Sequence, residues 1–363
     1  MTGSLWAGTR AIARRANGGR QSTVSSDQIN GLERDAAKGS PAKQVELANR
    51  YFAGDGTPTN LARAAFWYEK AAKSGDPVAE NMMGYLCQAG VGMAPDPVRS
   101  LHWYRLAASG GLPDALLNVG LAYLAGAGVK KDSAEAAEYF RRAFEKGVGV
   151  AASYLGTMQL AGIGTPRDAA AAEEWYREGA KMHDPVSEYD LGSLFSTEPG
   201  HVHDAGRAVV PLREAADAGY VPAMHSLALL ELHHPELARH TGEARELLEA
   251  AENAGYWRSS IVLGVIARDG NGAAVDSRQA YLHFRIAIIE GGDEAKSQLR
   301  ADIERLSGLI PDADIARLDS EAVTWVQQHP RRPQMVKFKE GSMLLFKAPM
   351  MDLKDLIQSR PGS

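Results

Sequence analysis

Residues 113–148 read PDALLNVGLAYLAGAGVKKDSAEAAEYFRRAFEKGV, and this stretch decides the fold. Ala115, Val119, Ala122 and Tyr123 recur at the spacing of one helix face, which predicts a helix over about 114–125. Gly126-Ala-Gly128 breaks that pattern. A second helical pattern covers about 133–146, with Ser133 as its candidate N-cap and Gly147 just past its end. The stretch therefore reads as a helical hairpin.

The hairpin repeats along the chain. Gly84, Gly120, Gly156 and Gly192 stand 36 residues apart, and the series continues at Ala228 and Gly264 and backwards at Ala48. Gly75, Gly111 and Gly147 share the spacing; His183 interrupts them, and Gly219, Gly255 and Gly291 resume the series. Pro41, Pro77, Pro113 and Pro185 form a third series, placed at a helix's first turn, where a missing N–H costs nothing. The pairs Trp67–Tyr68, Trp103–Tyr104, Tyr139–Phe140 and Trp175–Tyr176 form a fourth.

Four series in one register have packing reasons. A small residue at Gly84, Gly120, Gly156, Gly192 or Gly264 lets two helices approach closely. The pairs led by Trp67, Trp103 and Trp175 are expected to fill the space between neighbouring hairpins. One hairpin cannot bury its apolar face alone, so the units must stack. Seven units span 40–291, and residues 27–39 echo the end of a unit, as a half-repeat cap. Residues 292–329 carry two amphipathic faces, Leu299, Ile303, Leu306 and Ile310, then Ile315, Leu318, Val323 and Val326, and are read as C-terminal capping helices.

The pattern Ala-x3-Leu-Gly, a Gly-x-Gly loop, then Trp-Tyr-x-x-Ala-Ala and Gly resembles the Sel-one-like repeat, a relative of the tetratricopeptide repeat. The resemblance covers about 250 of the 363 residues and is strongest in units one to four. It weakens in units five to seven, where the aromatic pair becomes Pro211–Leu212, Leu247–Leu248 and His283–Phe284. It implies an all-α, right-handed α-solenoid of stacked helix-turn-helix repeats, and a scaffold or adaptor that assembles other proteins on its groove rather than an enzyme.

Composition is consistent with that picture. The chain is 45 % hydrophobic and 23 % charged, enough apolar surface for a core. Its longest nearly apolar run, Ala115 to Val129, is broken by Asn118 and three glycines, and a membrane span needs about 20 apolar residues. The sole cysteine, Cys87, excludes an internal disulfide and a cysteine-built zinc site, and its register position is one of packing.

Charge is uneven. Residues 1–26 carry Arg10, Arg14, Arg15 and Arg20 and no acid; without them 36 basic residues face 45 acidic ones. An acidic body has no overall attraction for nucleic-acid phosphates, so no nucleic-acid partner is expected. The amphipathic, Arg-bearing, acid-free composition of residues 1–26 reads as an organellar transit peptide. A mitochondrial location, in the matrix, follows as the expectation, ahead of chloroplast or cytoplasm. Residues 330–363 form a basic-apolar tail, with seven basic and three acidic residues over 331–363, and a candidate docking segment.

Catalytic motifs are weak. The Gly-x-Gly loops at Gly54, Gly90, Gly126 and Gly162 lack the third glycine of a nucleotide fingerprint and recur at period 36, so they read as turns. Ser40-Pro-Ala-Lys43 lacks the companion motifs of a serine β-lactamase, and Ser40 sits where a helix N-cap belongs. Six histidines fall within forty residues, and His201, His203, His233 and His234 are placed in the loops of units five and six, the only candidate metal ligands or pH-sensing groups. The expectation is a non-enzymatic scaffold in mitochondria, a subunit or assembly factor of a larger complex, without cofactor. A metal-dependent enzyme or sensor at the histidines, and a stress-signalling adaptor, are the alternatives.

Overall fold

The computed structural model describes residues 26–197, 204–270 and 274–329. Among them are sixteen α-helices, one short 3-10 turn and no strand. Helix α1 (Ser26–Ala37) precedes seven hairpins. Hairpins one and two are α2 (Pro41–Ala53) with α3 (Leu61–Lys73), and α4 (Pro77–Ala89) with α5 (Pro97–Ser109). Hairpins three and four are α6 (Pro113–Ala125) with α7 (Ser133–Glu145), and α8 (Val150–Ala161) with α9 (Ala169–Lys181). Hairpins five and six are α10 (Pro185–Thr197) with α11 (Ala205–Asp217), and α12 (Val221–His233) with α13 (Glu243–Asn253). The seventh begins with α14 (Trp257–Asp269) and ends in the long α15 (Ser277–Ser307), which α16 (Asp312–Gln328) follows. The all-α solenoid expected from the register is what forms.

The chain divides into two compact units between Gly179 and Ala180, within the last turns of α9. In the first, α1 covers the opening hairpin with Ile29, Leu32 and Ala36, and Gln44 Nε2 donates to the Ala36 carbonyl at 3.1 Å. In the second, α15 breaks at Gly292 (φ 64) into the second helix of hairpin seven and a further helical run. Leu299 and Leu306 of that run are buried with Ile310, Leu318 and Ala322, covering the last hairpin. Val323 departs from the expected face: it is 46 % exposed, because the buried face of α16 runs through Leu318 and Ala322, one position behind it.

Each hairpin closes the same way. The prolines at 41, 77, 113 and 185 open first helices, as read. The second helix starts at a capping residue that forms its own series: Asn60, Asp96, Asp132, Asp168, Asp204 and Asp276. Their side chains accept from backbone N–H groups two or three residues on, as Asp132 does from Ala134 and Glu135. Ser133 is therefore the first helical residue and not the cap, because the Asp132 carboxylate already holds the free N–H groups. The same six residues donate their own N–H to a carbonyl nine residues back, at 2.8–3.1 Å, which fixes the loop.

The periodic small residues face the second member of each aromatic pair. A Cβ on Gly84 would lie 2.5 Å from Tyr104 Cδ1, on Gly120 2.6 Å from Phe140 Cε1, and on Gly156 2.5 Å from Tyr176 Cε1. Leu212 and Phe284 cover Gly192 and Gly264 in the same way. The second ring thus fills the inside of its own hairpin, which modifies the expectation that the pair fills the gap between hairpins. Bridging does occur: Phe140 stacks on Tyr154 at 5.0 Å and Phe144 meets Trp175 edge-on at 5.7 Å. Trp67 and Trp103 are buried, and Trp175 is half-buried.

Candidate interaction surface

Two register positions on the first-helix side change character in the second compact unit. Tyr189 and His225 occupy one; Tyr220 and Tyr256, each just before a first helix, occupy the other. Tyr189 packs on Tyr220 with ring centroids 5.3 Å apart, and His225 packs on Tyr256 at 5.1 Å. His225 Nδ1 lies 3.0 Å from Ser259 Oγ, and the Arg258 guanidinium sits 4.5 Å above the Trp257 ring. All four aromatic or imidazole rings of the ladder are half-exposed, whereas the equivalent Asn81 of hairpin two is buried and bonded to Asn118.

The ladder is electrostatically defined. Burial, then the Arg258 charge, lowers the His225 pKa to about 4, so the ring is neutral near pH 7. Burial, reinforced by Asp190, pushes the Tyr220 phenol up. Beneath the ladder Glu188 is 2 % exposed; burial, then Glu214 and Asp184, pushes its carboxyl up to about 7. Asp184 caps α10 by accepting from Ser187 N and Oγ, both at 2.8 Å. Rings with a wet edge beside carboxylates suit recognition of a polypeptide, since Tyr combines apolar area with a hydrogen-bonding tip.

A concavity lies in the first unit. A cleft of about 230 Å³ is lined by Ser133, Ala137, Arg141, Leu155, Met158 and Trp175, among others. Gln159 and Thr165 border it, bonded to each other at 3.5 Å. They occupy the register positions that Tyr123 and Val129 fill in hairpin three, where Tyr123 stacks on Tyr139 at 5.6 Å.

Of the four histidines singled out in the sequence, only His233 and His234 lie among the described residues. His201 and His203 lie outside them. His233 ends α12 and is exposed; His234 caps it, with Nδ1 3.2 Å from Glu236 Oε1. No group of three or more His, Cys, Asp or Glu among the described residues is arranged to hold a metal ion. Ser40 takes the N-cap position of α2 without a side-chain cap bond. Cys87 is fully buried, with Sγ 3.6 Å from Met93 Sδ, and burial raises its thiol pKa. The glycine loops are turns: Gly126 and Gly128 adopt φ 72 and 73, and Gly128 presses against the Pro97 carbonyl of the preceding hairpin. The transit-peptide reading (residues 1–26) and the tail (330–363) fall outside the described residues, apart from Ser26 at the start of α1.

Hairpins five and six share a feature that the sequence did not announce. Arg213 Nη2 lies 2.7 Å from Glu231 Oε1 and 3.6 Å from Glu243 Oε2, and it donates to the Leu237 carbonyl at 2.8 Å. The Glu231 side chain is wholly buried and that of Glu243 is 8 % exposed. Arg239 N donates to Glu243 and its guanidinium pairs with Asp217. This ion cluster shapes residues 234–242 where the loop glycines and the capping Asp are both missing. That double loss was the available signal.

The Sel1 repeat family matches residues 44–76, 77–112, 113–148 and 149–184, the first four hairpins. The chain is 27 % identical to a Sel1 repeat protein from Oxalobacter formigenes over 69 % of this chain and 97 % of that one, with a TM-score of 0.56. It is 21 % identical to c5321, a protective antigen of uropathogenic Escherichia coli strains displaying an SLR fold, over 87 % and 77 % of the two chains, with a TM-score of 0.43. No curated protein matches the chain. Residues 44–184 thus match Sel1 repeats, and Sel1 repeat proteins generally serve as protein-interaction scaffolds.

Proposed function

We propose that this repeat protein is a non-enzymatic scaffold or adaptor that holds an extended segment of a protein partner against its first-helix face. The observation that carries the reading is the half-exposed ladder of Tyr189, Tyr220, His225 and Tyr256 on helices that are already stacked. A pre-stacked surface loses little entropy on binding, so ordering falls on the partner alone. Half-buried aromatic rings are the side chains that dominate interface energies. The net acidity of the body favours a basic partner segment. In this reading the protein serves as a subunit or assembly factor of a larger complex in the mitochondrial matrix.

Native electrophoresis of mitochondria, with mass spectrometry of whatever co-migrates, tests the assembly. Co-migration with one complex supports the scaffold; migration at the chain's own 39 kDa overturns the stable-subunit form. Tyr189→Ser with Tyr256→Ser, checked for retained helicity, should release the partner. A partner retained by that variant would remove the ladder from the interface. Residues 1–26 fused to a fluorescent protein should carry it into mitochondria, and cytosolic fluorescence overturns the location.

A further inference from the structure

Tyr123 of hairpin three stacks on Tyr139 with ring centroids 5.6 Å apart, and its hydroxyl accepts from Arg105 Nη2 at 2.7 Å. One repeat on, these three positions hold Gln159, Trp175 and Arg141, and all three line the cleft of about 230 Å³ in the first unit. The aromatic floor and the guanidinium are kept there, while an amide stands where the hydroxyl-bearing ring was. Leu155 and Met158 supply apolar walls, and Phe144 meets the Trp175 ring edge-on at 89°.

Arg141 also lacks a partner that the register supplies elsewhere. Side chains thirty residues apart pair across neighbouring helices as Arg63–Glu33 at 3.0 Å and Arg99–Glu69 at 2.7 Å. The same offset from Arg141 reaches Ala171. Among the described residues the ion pair of Arg141 is with Glu138 of its own helix, at 3.0 Å, with both side chains at least half exposed. Such a pair holds weakly, so the guanidinium has donors for an incoming acceptor.

We propose that this cleft takes an aromatic ring with an acceptor oxygen at its far end, presented as a tyrosine side chain of a protein partner. The ring stacks on Trp175 as Tyr123 stacks on Tyr139, and its oxygen accepts from Arg141 as the Tyr123 hydroxyl does from Arg105. Size agrees, since a cavity of about 150 Å³ holds benzene and this cleft is larger by roughly one substituent. Charge agrees as well: a cation with no acid across the hairpin favours tyrosine over phenylalanine. Ser133, Gln159 and Thr165 also line the cleft and carry the hydrogen-bonding groups that a polypeptide backbone needs. The cleft lies in the first unit and the ring ladder in the second, so the failure of either leaves the other standing.

p-Cresol, which is the tyrosine side chain alone, and toluene, the same ring without oxygen, test this on the full chain by heteronuclear NMR of the tryptophan indoles. The spectrum of Trp175→Phe assigns the resonance. p-Cresol should shift it with a Kd of about 1 mM and bind about five-fold tighter than toluene. The blocked peptide acetyl-Ala-Tyr-Ala-amide should bind at least as tightly as p-cresol, and about five-fold tighter than its phenylalanine counterpart. Arg141→Gln, an exposed substitution, should erase the preference for the oxygen-bearing ring and leave toluene binding unchanged. Gln159→Tyr, which supplies the ring from within the chain as hairpin three does, should weaken p-cresol binding by about ten-fold. Equal binding of p-cresol and toluene, a preference retained in Arg141→Gln, full binding in folded Gln159→Tyr, or shifts confined to other indoles overturns the proposal. p-Cresol binding without peptide binding overturns the protein partner as the source of the ring.

Discussion

Gly84 lies directly beneath the Tyr104 ring: a Cβ at 84 would sit 2.5 Å from both Tyr104 Cδ1 and Cε1. The relationship recurs 36 residues on, where Gly120 lies beneath Phe140. Introducing Cβ there must displace a buried ring, and overpacking costs about 1–3 kcal/mol. Hairpin one carries Ala48 and hairpin six Ala228 at this position, so one methyl is tolerable. Gly120→Ala should cost about 1 kcal/mol after its helix-propensity gain, and Gly120→Val about 3 kcal/mol. Phe140→Leu should relieve Gly120→Ala, because hairpin six pairs Ala228 with Leu248. Urea midpoints of the single and double variants measure the coupling, and strict additivity would remove the ring contact as the cause.

The capping series makes a second test. Asp132 accepts from Ala134 N at 3.0 Å and Glu135 N at 3.1 Å, while Ser133 caps nothing. Asp132→Ala should lower stability by about 1 kcal/mol, and Ser133→Ala should leave it within about 0.5 kcal/mol. Equal losses from the two substitutions would restore Ser133 as the cap.

These two cases mark what was legible. Gly84, Gly120, Tyr104 and Phe140 announce the fold because each hairpin repeats one steric problem at one spacing, and repetition multiplies the signal. The Asp96, Asp132 and Asp168 series was equally periodic, but the neighbouring Ser133 offered a plausible cap one residue away. The Tyr189–Tyr220 and His225–Tyr256 pairs keep the 36-residue spacing yet occur only twice, too few for periodicity to expose. The Arg213 cluster joins residues 18 and 30 apart only where the regular loop is missing, so nothing in the register predicts its geometry.

His183 is the only non-glycine with positive φ among the described residues, at 55°. Gly75, Gly111, Gly147, Gly219 and Gly255 hold the equivalent position with φ between 79° and 91°. A left-handed backbone costs a side-chain-bearing residue about 1–2 kcal/mol, partly offset by the greater unfolded freedom of glycine. His183→Gly should therefore stabilise the fold by about 0.5–1 kcal/mol. A lowered melting temperature would mean that the imidazole makes a compensating contact.

Glu188 predicts a pH dependence. Its carboxyl is raised from 4.5 to about 7 in the fold, first by burial and then by Glu214 and Asp184. Between those values the folded chain holds a proton the unfolded chain has lost, so stability from this site is full below about 4.5 and falls as pH rises toward 7. Gln44 occupies the same register position and donates to the Ala36 carbonyl, as a neutral group can. Glu188→Gln should thus stabilise the protein at pH 8 by about 1–3 kcal/mol and flatten this part of the profile. Parallel profiles for the two proteins between pH 5 and 8 would show that Glu188 titrates normally.

Arg213 predicts the opposite outcome for a lost charge. It stands between the buried Glu231 and Glu243, and its removal leaves two carboxylates facing each other without a cation. Burial, then Glu243, already raises the Glu231 pKa against the pull of Arg213. Breaking a buried ion cluster from one side costs about 3–5 kcal/mol, so Arg213→Met should destabilise strongly at pH 7.5. The loss should shrink at pH 5, because without the guanidinium one carboxylate takes up a proton more readily in the fold than in the unfolded chain. Adding Glu231→Leu and Glu243→Leu should recover most of the stability, since an apolar cluster of similar volume carries no desolvation cost. Urea unfolding of the three proteins at both pH values separates charge from packing. A loss that is equal at pH 5 and 7.5 and persists in the triple variant would assign Arg213 a packing role, through its bond to the Leu237 carbonyl, in shaping the loop of hairpin six.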